Sequence, residues 1–280
     1  WNFKSIIMLK SSKQLYACGC SYTQKDWIVT DANKMEGYET GPHPMWPEIL
    51  AKKLNLKEVN HGLGGHGNDY IMQNSVKYIL DNHKKIDVVC IQWSELTRMW
   101  VYDMNYFNPS VWLDEDLRKF DRWGDDFVGF PNIFGDRFTA SIALMKYVAR
   151  DPYTVVDLFK KYFREIYTLQ KLCEELNVKY IFGQGFPAHQ LDQWRLINPD
   201  LDWKETLNCL IGQPEFHLVN KKKFMGWPCL PELGGMTMTT GHLDFEPRTN
   251  RLNPMDDHPS AKGQELIAKQ FHNKYVELYG

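Results

Sequence analysis

Short apolar runs alternate with longer stretches whose apolar residues recur every three or four positions along this chain of 280 residues. An unbroken apolar run is typical of a strand buried on both faces, and the longer period is typical of an amphipathic helix. The strongest run is Ile86–Trp93, which is rich in β-branched residues. Strands are therefore predicted at residues 14–19, 56–60, 86–93 and 178–183. Helices are predicted at residues 45–54, 69–83, 138–148, 151–176 and 259–279.

The order of these elements predicts an α/β fold on a parallel sheet, since strands that alternate with helices are joined by right-handed crossovers. Two long segments interrupt the pattern, and the chain is interpreted as a single domain over residues 1–280 with insertions at about 99–137 and 184–250. The first insertion is rich in aromatic residues without a clear period, which is consistent with a satellite core, a lid or a sugar-stacking wall. In the second, Gly234-Gly235 and residues 237–240 suggest a turn and a short strand.

Composition argues against several classes of protein. Hydrophobic residues make up 43% of the chain, enough for a sizeable core, and a net charge of −2 gives no electrostatic reason to expect nucleic acid. No apolar run approaches the roughly 20 residues of a membrane span, and residues 3–9 are too short and lysine-punctuated for a signal peptide. The six cysteines lack C-x-x-C or zinc-ligand spacing. A reduced, cytoplasmic protein without a metal or a membrane partner is therefore expected.

A candidate nucleophile follows the first predicted strand. The apolar run Leu15–Cys18 ends at Gly19, a residue that tolerates a sharp turn, and Ser21 lies two positions further on. A serine at the carboxyl end of a central strand stands where an open α/β sheet would hold a nucleophile. The alternative interpretation is that Ser21 caps the start of a following helix.

Three further segments fall near the same edge of the predicted sheet. The glycine-rich turn Asn60–Asn68 follows the second strand, Ser94 follows the third, and acids with His258 precede the last helix. With these parts, Ser21 would attack an acyl carbon, and His258 would take the hydroxyl proton and return it to the leaving group. A carboxylate beside the histidine would fix its tautomer, and backbone N–H groups of Ser21 and a loop glycine would bind the oxyanion.

The motifs in these segments resemble the SGNH/GDSL hydrolase superfamily. Gly19-Cys20-Ser21-Tyr22-Thr23 resembles the family's G-D-S turn, with Cys20 in place of the aspartate. Asn60-His61-Gly62-Leu63-Gly64-Gly65 resembles the second block, in which the oxyanion glycine would be Gly65. Asp256-Asp257-His258-Pro259-Ser260-Ala261-Lys262-Gly263 resembles the last block, and residues 46–54 look like the helix between the first two. The resemblance covers both ends of the chain but neither insertion.

The motifs depart from the family pattern at two further places. The family's aspartate lies three residues before the histidine, where this chain has Met255. The acid would then be Asp256 or Asp257, and Asp256 is favoured because an immediate neighbour rarely folds back onto the ring. After the third strand, Ser94 stands where the family has an oxyanion asparagine. Losing such a donor typically costs about 2.7–4 kcal/mol, which the Ser94 hydroxyl or Asn68 would have to recover.

The resemblance implies a three-layer α/β/α fold with a flavodoxin-like parallel sheet of about five strands. It also implies hydrolysis of an acyl ester without a cofactor or metal, and many members remove acetyl groups from glycans. The form Trp93-Ser94 followed by Arg98 looks like phage-encoded members, which adds a virion-associated location to the cytoplasmic one. Candidate substrate contacts are Asn68, His66, Trp93 and Arg98; His66 has the alternative of an ordinary loop residue.

Two other functions are open on the same motifs. In an acyltransferase the acyl group would pass to a sugar hydroxyl rather than to water, because both acceptors react with one acyl-enzyme. The third function is that of a carbohydrate-binding or structural protein that has lost catalysis. The altered first block, the displaced acid and Ser94 are consistent with it.

Overall fold

Five parallel strands form the central sheet of this computed structural model, which describes residues 13–26, 36–39, 41–96, 152–186, 200, 202–239, 250–253 and 256–280. The strands are β1 (Gln14–Gly19), β2 (Lys57–Asn60), β3 (Ile86–Trp93), β4 (Lys179–Gln184) and β5 (Phe224–Met225). Their order in the sheet is β2-β1-β3-β4-β5, and every neighbouring pair is parallel. This is the flavodoxin-like order, so the predicted fold class is confirmed.

Helices cover both faces of the sheet, and a small antiparallel hairpin precedes the last helix. The described α-helices are α1 (Trp46–Lys53), α2 (Asn68–Asn82), α3 (Pro152–Glu175), α4 (Trp203–Ile211), α5 (Pro214–Leu218) and α6 (Ala261–Tyr279). The hairpin consists of β6 (Arg251–Asn253) and β7 (Asp256–Pro259). None of the described helices is long and apolar enough to span a membrane. The predicted aromatic insertion and the predicted helix at 138–148 lie outside the described residues.

Alternate residues of β1 point into two separate cores, as the period of a strand requires. Leu15 and Ala17 pack on the side of α1 and α6, whereas Tyr16 and Cys18 pack on the side of α2 and α3. All four side chains are fully buried. Because both faces are covered here, residues 15–18 form an unbroken apolar run, which is why the position of the strand could be predicted from the sequence.

The fifth strand is not where the sequence suggested one. Residues 237–240 are predicted to form a short strand, but residues 238–239 are wound as a fragment of π-helix. The edge strand is Phe224–Met225 instead, paired with Phe182 and Gly183 of β4. Two residues are too few to produce a recognisable period. The side chains of both Phe224 and Met225 are buried. The turn expected at Gly234 is present, with a positive φ of 76°.

The second insertion is also more regular than expected, because it contains α4 and α5. Asp202 caps α4 by accepting a hydrogen bond of 2.8 Å from the Glu205 amide, and Pro214 occupies the first turn of α5. Trp203 and Leu210 of α4 are buried among the residues of the core that contains α3. Helices of nine and five residues present at most two turns of apolar spacing, so the sequence pattern missed them.

A cluster of charges joins α2 to α3. Lys161 Nζ lies 2.6 Å from Asp69 Oδ1 and 3.7 Å from Glu165 Oε1. Burial is the main cause of a raised pKa at Glu165, about 7 against an ordinary 4.5, and the nearby Asp69 carboxylate adds to it while Lys161 opposes it. The folded protein therefore holds a proton on Glu165 at pH values where the unfolded chain has released it.

We expect the substitution Glu165→Gln to flatten the pH dependence of stability. Between pH 4.5 and 7 the folded state binds more protons at Glu165 than the unfolded state, so this group makes stability fall as the pH rises. The parent protein should lose roughly 1–3 kcal/mol of unfolding free energy from this group between pH 5 and pH 8, and Glu165→Gln should not show this loss. Urea unfolding at both pH values measures this. The control is Glu175→Gln, exposed on the same helix; equal pH slopes for both variants and the parent would contradict the assignment.

Candidate active site

The Ser21 turn begins where β1 ends. The amides of Thr23 and Gln24 donate to the carbonyl of Cys20 over 2.9 and 3.1 Å, which folds residues 20–24 into a tight turn. Gly19 is required at its start, since a Cβ there would overlap the Thr23 hydroxyl and lie 2.9 Å from the Gln92 carbonyl oxygen. No helix begins at Ser21 within residues 20–26, so the interpretation of this serine as a helix cap is wrong.

His258 reaches Ser21 from the other end of the chain. Its Nε2 atom lies 2.7 Å from Ser21 Oγ, across a separation of 237 residues. In the tautomer that carries hydrogen on Nδ1, Nε2 accepts the hydrogen bond from the Ser21 hydroxyl. Ser21 is only 3% exposed, so its hydroxyl lies in a largely water-excluded position.

The β6–β7 hairpin and the start of α6 position His258. The last helix was predicted from Pro259, but α6 begins at Ala261 because residues 256–259 form β7 and pair with β6. Ser260 then caps the helix: its side chain accepts from the Gly263 amide, and its own amide donates to the Asn250 carbonyl. His258 thus lies on a paired strand that a capped helix follows directly.

Two aromatic rings pack beside the imidazole of His258. The Tyr22 ring centroid lies 5.5 Å from it and that of Phe186, just after β4, lies 6.3 Å from it. The two rings also contact each other, at 4.1 Å between centroids. Tyr22 and Phe186 thus form an aromatic wall along one side of the histidine. Phe186 is not among the predicted site residues, although its place just after the fourth predicted strand is a signal in the sequence.

The glycine-rich loop after β2 packs directly on the Ser21 turn. Asn60 joins the two segments, because its Nδ2 donates to the Thr23 carbonyl over 2.7 Å and its Oδ1 accepts from the Gly62 amide over 2.8 Å. A Cβ on Gly62 would lie 2.6 Å from the Thr23 carbonyl carbon. Gly65 follows with a positive φ of 77°. Within the described residues, the N–H groups of Ser21 and Gly65 donate no hydrogen bond.

Ser94 is held through its backbone rather than its hydroxyl. Its amide donates to Asn68 Oδ1 over 2.8 Å, and its carbonyl accepts from Asn68 Nδ2 and from Gln184 Nε2. The Ser94 side-chain oxygen is buried and has no hydrogen-bond partner among the described residues. The Asn68 amide, predicted as a substrate contact or substitute oxyanion donor, is engaged with Ser94. Gln184 was not anticipated.

The other predicted substrate contacts have different outcomes. Trp93, a predicted substrate contact, is fully buried in the core against Tyr162 and Phe182. The sequence of β3 gives no sign that its last residue packs into the core. His66 lies 3.0 Å from the Gly64 carbonyl through Nδ1 and packs on Tyr70. Arg98 and the side chains of Asp256 and Asp257 lie outside the described residues.

Burial shifts the pKa values of two other groups close to the Ser21 turn, Cys18 and His61. Burial raises the pKa of the Cys18 thiol to about 11, so this thiol stays protonated at neutral pH. Burial also lowers the pKa of His61, whose ring packs edge-on against Tyr16 and Tyr78. Among the described residues, no group of three or more histidine, cysteine or acidic side chains is arranged to hold a metal ion.

Comparisons with known proteins find similarity only among solved structures. No protein-family model matches the chain, and no curated protein matches it. A member of the lipolytic protein G-D-S-L family from Veillonella parvula is 12% identical, with 95% of this chain and 98% of that chain covered and a TM-score of 0.38. The carbohydrate acetylesterase Est24 from Sinorhizobium meliloti is 12% identical, with 95% and 100% covered and a TM-score of 0.41.

A third solved structure is a catalytic mutant of Axe2, an acetylxylan esterase from Geobacillus stearothermophilus. It is 14% identical, with 95% of both chains covered and a TM-score of 0.40. Similarity at this level assigns no activity to the present chain, and the function is therefore argued from the geometry of Ser21 and His258.

We expect Gly62→Ala to strain the contact between the glycine-rich loop and the Ser21 turn. The added methyl group would meet the Thr23 backbone at 2.6 Å, and backbone cannot move aside as a flexible side chain can. Overpacking of this kind typically costs about 1–3 kcal/mol of unfolding free energy, measurable by urea denaturation. Gly212→Ala is the matched control, because its new methyl group meets only ordinary contacts at 3.5 Å. Equal losses in the two variants would contradict the packing argument.

Proposed function

We propose that this protein is a serine esterase in which Ser21 is the nucleophile and His258 the general base. The observation that carries the proposal is the 2.7 Å contact between Ser21 Oγ and His258 Nε2. A serine hydroxyl is a weak nucleophile alone, and a histidine within hydrogen-bond distance is the usual means of activating it. The two residues come from opposite ends of the chain and meet at the carboxyl edge of a parallel sheet, where open α/β folds place their sites.

The proposed reaction proceeds through an acyl-enzyme. Ser21 Oγ attacks the acyl carbon while its proton passes to His258 Nε2, giving a tetrahedral oxyanion and an imidazolium. His258 then protonates the departing alcohol oxygen as its bond to the acyl carbon breaks. A water molecule then attacks the acyl carbon on Ser21 while one of its protons passes to His258 Nε2. The bond between that carbon and Ser21 Oγ breaks, His258 returns the proton to Oγ, and the carboxylic acid is released. Asp256 is proposed as the carboxylate that holds Nδ1–H, with Asp257 as the alternative.

The N–H groups of Ser21 and Gly65 are the proposed oxyanion donors. Neither donates a hydrogen bond within the described part of the chain, and the segment that carries Gly65 packs on Thr23 and Gln24 of the Ser21 turn. Ser94 is the third proposed donor. Its hydroxyl is buried without a described partner, so its hydrogen is not committed to another described acceptor. Preorganised donors of this kind stabilise the charge that develops on the acyl oxygen.

The proposed substrate is an O-acetylated carbohydrate. The support for it comes from the sequence: the motifs resemble a superfamily in which many members deacetylate glycans, and the first insertion supplies aromatic residues suited to sugar rings. An acyltransferase that passes the same acyl group to a sugar hydroxyl remains a variant of this proposal.

A carbohydrate-binding or structural protein on the same fold is the second candidate. The observation that favours it is the buried state of Ser94, at the position where the superfamily supplies an oxyanion asparagine. If this serine gives no hydrogen bond to the oxyanion, kcat would be lower by a factor of about 10²–10³.

We expect Ser21→Ala to abolish hydrolysis of p-nitrophenyl acetate and of acetylated xylo-oligosaccharides. Removal of a serine nucleophile lowers kcat by about 10⁶ in a well-studied serine protease, so only background rates should remain. Ser75→Ala is the control, since Ser75 is a fully buried serine on α2 that accepts a hydrogen bond from Tyr16. Activity that survives in Ser21→Ala would remove Ser21 as nucleophile. A parent protein inactive on every ester would favour the binding function.

A further inference from the structure

Thr23 lies two residues after Ser21 and joins the Ser21 turn to three other elements. We propose that Thr23 is the positioning residue of the site: it holds the turn so that Ser21 Oγ faces His258 Nε2. The effect expected on catalysis rests on the proposed esterase function, whereas the effect expected on the Ser21–His258 contact does not.

The Thr23 hydroxyl is shared by two buried partners. It donates to Gln92 Oε1 over 2.8 Å and accepts from the indole N–H of Trp46 over 3.3 Å. Thr23, Gln92 and Trp46 are all fully buried. One hydroxyl therefore links the Ser21 turn to β3 through Gln92 and to α1 through Trp46.

Gln92 depends on this hydroxyl. The Gln92 Nε2 atom is buried without a hydrogen-bond partner among the described residues. Within those residues, its side-chain amide is therefore held by the hydrogen bond that Oε1 accepts from Thr23. A buried amide that loses this partner gains no hydrogen bond to water in exchange. The Gln92 side chain is therefore expected to shift, and the neighbouring Ser21 turn is expected to shift with it. The Trp46 indole N–H would lose its acceptor at the same time.

The backbone of Thr23 is engaged as closely as its side chain. Its carbonyl accepts from Asn60 Nδ2 over 2.7 Å, and its amide donates to the Cys20 carbonyl over 2.9 Å. Two glycines leave room for it: a Cβ on Gly19 or on Gly62 would fall within 3 Å of Thr23 atoms. The residue is thus fixed from β1, from the loop after β2 and from β3.

The neighbouring residue Tyr22 is tied to a different helix. Gln264 of α6 donates through Nε2 to the Tyr22 carbonyl over 3.3 Å and accepts through Oε1 from the Trp46 amide over 3.0 Å. Gln264 belongs to the helix that follows His258. Trp46 therefore contacts both the Thr23 hydroxyl and the helix behind the histidine, so it connects the two halves of the Ser21–His258 pair.

Loss of the Thr23 hydroxyl should misplace Ser21 without unfolding the protein. A displacement of about 1 Å at reacting groups can lower a rate about 10²-fold. Thr23→Val keeps the shape of the side chain and removes its hydrogen bonds, and Thr23→Ser keeps the hydroxyl. Thr206→Val is the matched control, because Thr206 is a fully buried threonine on α4 whose hydroxyl donates to the Asp202 carbonyl over 2.9 Å.

The direct test is the nitrogen chemical shift of the His258 imidazole, measured by NMR on the full chain and assigned with His258→Asn. Ser21→Ala defines the signal of a histidine that has lost its serine partner. Thr23→Val is expected to move the His258 signal to that position, while Thr23→Ser and Thr206→Val keep the parent signal. A Thr23→Val signal identical to the parent would overturn the proposal. Thermal unfolding confirms that each variant is folded.

Turnover of p-nitrophenyl acetate separates this proposal from the proposed function. Thr23→Val should lower kcat about 10²-fold with KM changed by less than about threefold, and Thr23→Ser should restore kcat. An active parent with an unchanged kcat in Thr23→Val would overturn the positioning role alone. An inactive parent would instead count against the esterase, and the His258 signal would still decide whether Thr23 holds Ser21 in place.

Discussion

Strand β1 lies between β2 and β3 in the sheet, and helices cover both of its faces. The site depends on this burial. Backbone groups at the carboxyl end of the strand cannot reach water, so other protein groups must satisfy them. Five side-chain amides do so, and each forms a hydrogen bond with a main-chain group or with the Thr23 hydroxyl at this edge. These amides belong to Asn60, Asn68, Gln92, Gln184 and Gln264. The loops of the site are therefore held by short polar side chains from within the fold.

Neutral amides suit this task because they do not titrate. The contacts that fix the Ser21 turn and the Ser94 backbone therefore keep their strength as the pH changes. Charged pairs are found elsewhere, as in the cluster of Lys161, Asp69 and Glu165 between α2 and α3. The rigid part of the site and the proton-accepting part are thus built from different chemistry.

The pair of Ser21 and His258 also links the two ends of the chain. Ser21 follows the first strand of the sheet, and His258 lies on the hairpin before the last helix. Helix α6 packs against α1, where Trp46 and Phe271 stack with ring centroids 4.3 Å apart. Because Trp46 in turn contacts Thr23, the packing that brings the last helix onto the sheet also sets the distance between histidine and serine.

The first four strands, the parallel sheet and the segments that carry Ser21, Gly65, Ser94 and His258 can all be predicted from the sequence. Buried parallel strands are continuous apolar runs, and glycines at sharp turns follow them, so local pattern is sufficient. Three features depend instead on the folded chain: Trp93 lies in the core, Asn68 binds the Ser94 backbone, and the edge strand is Phe224–Met225. These outcomes depend on contacts between residues far apart in the chain, such as Asn68 and Ser94 at a separation of 26 positions, and no local period records them.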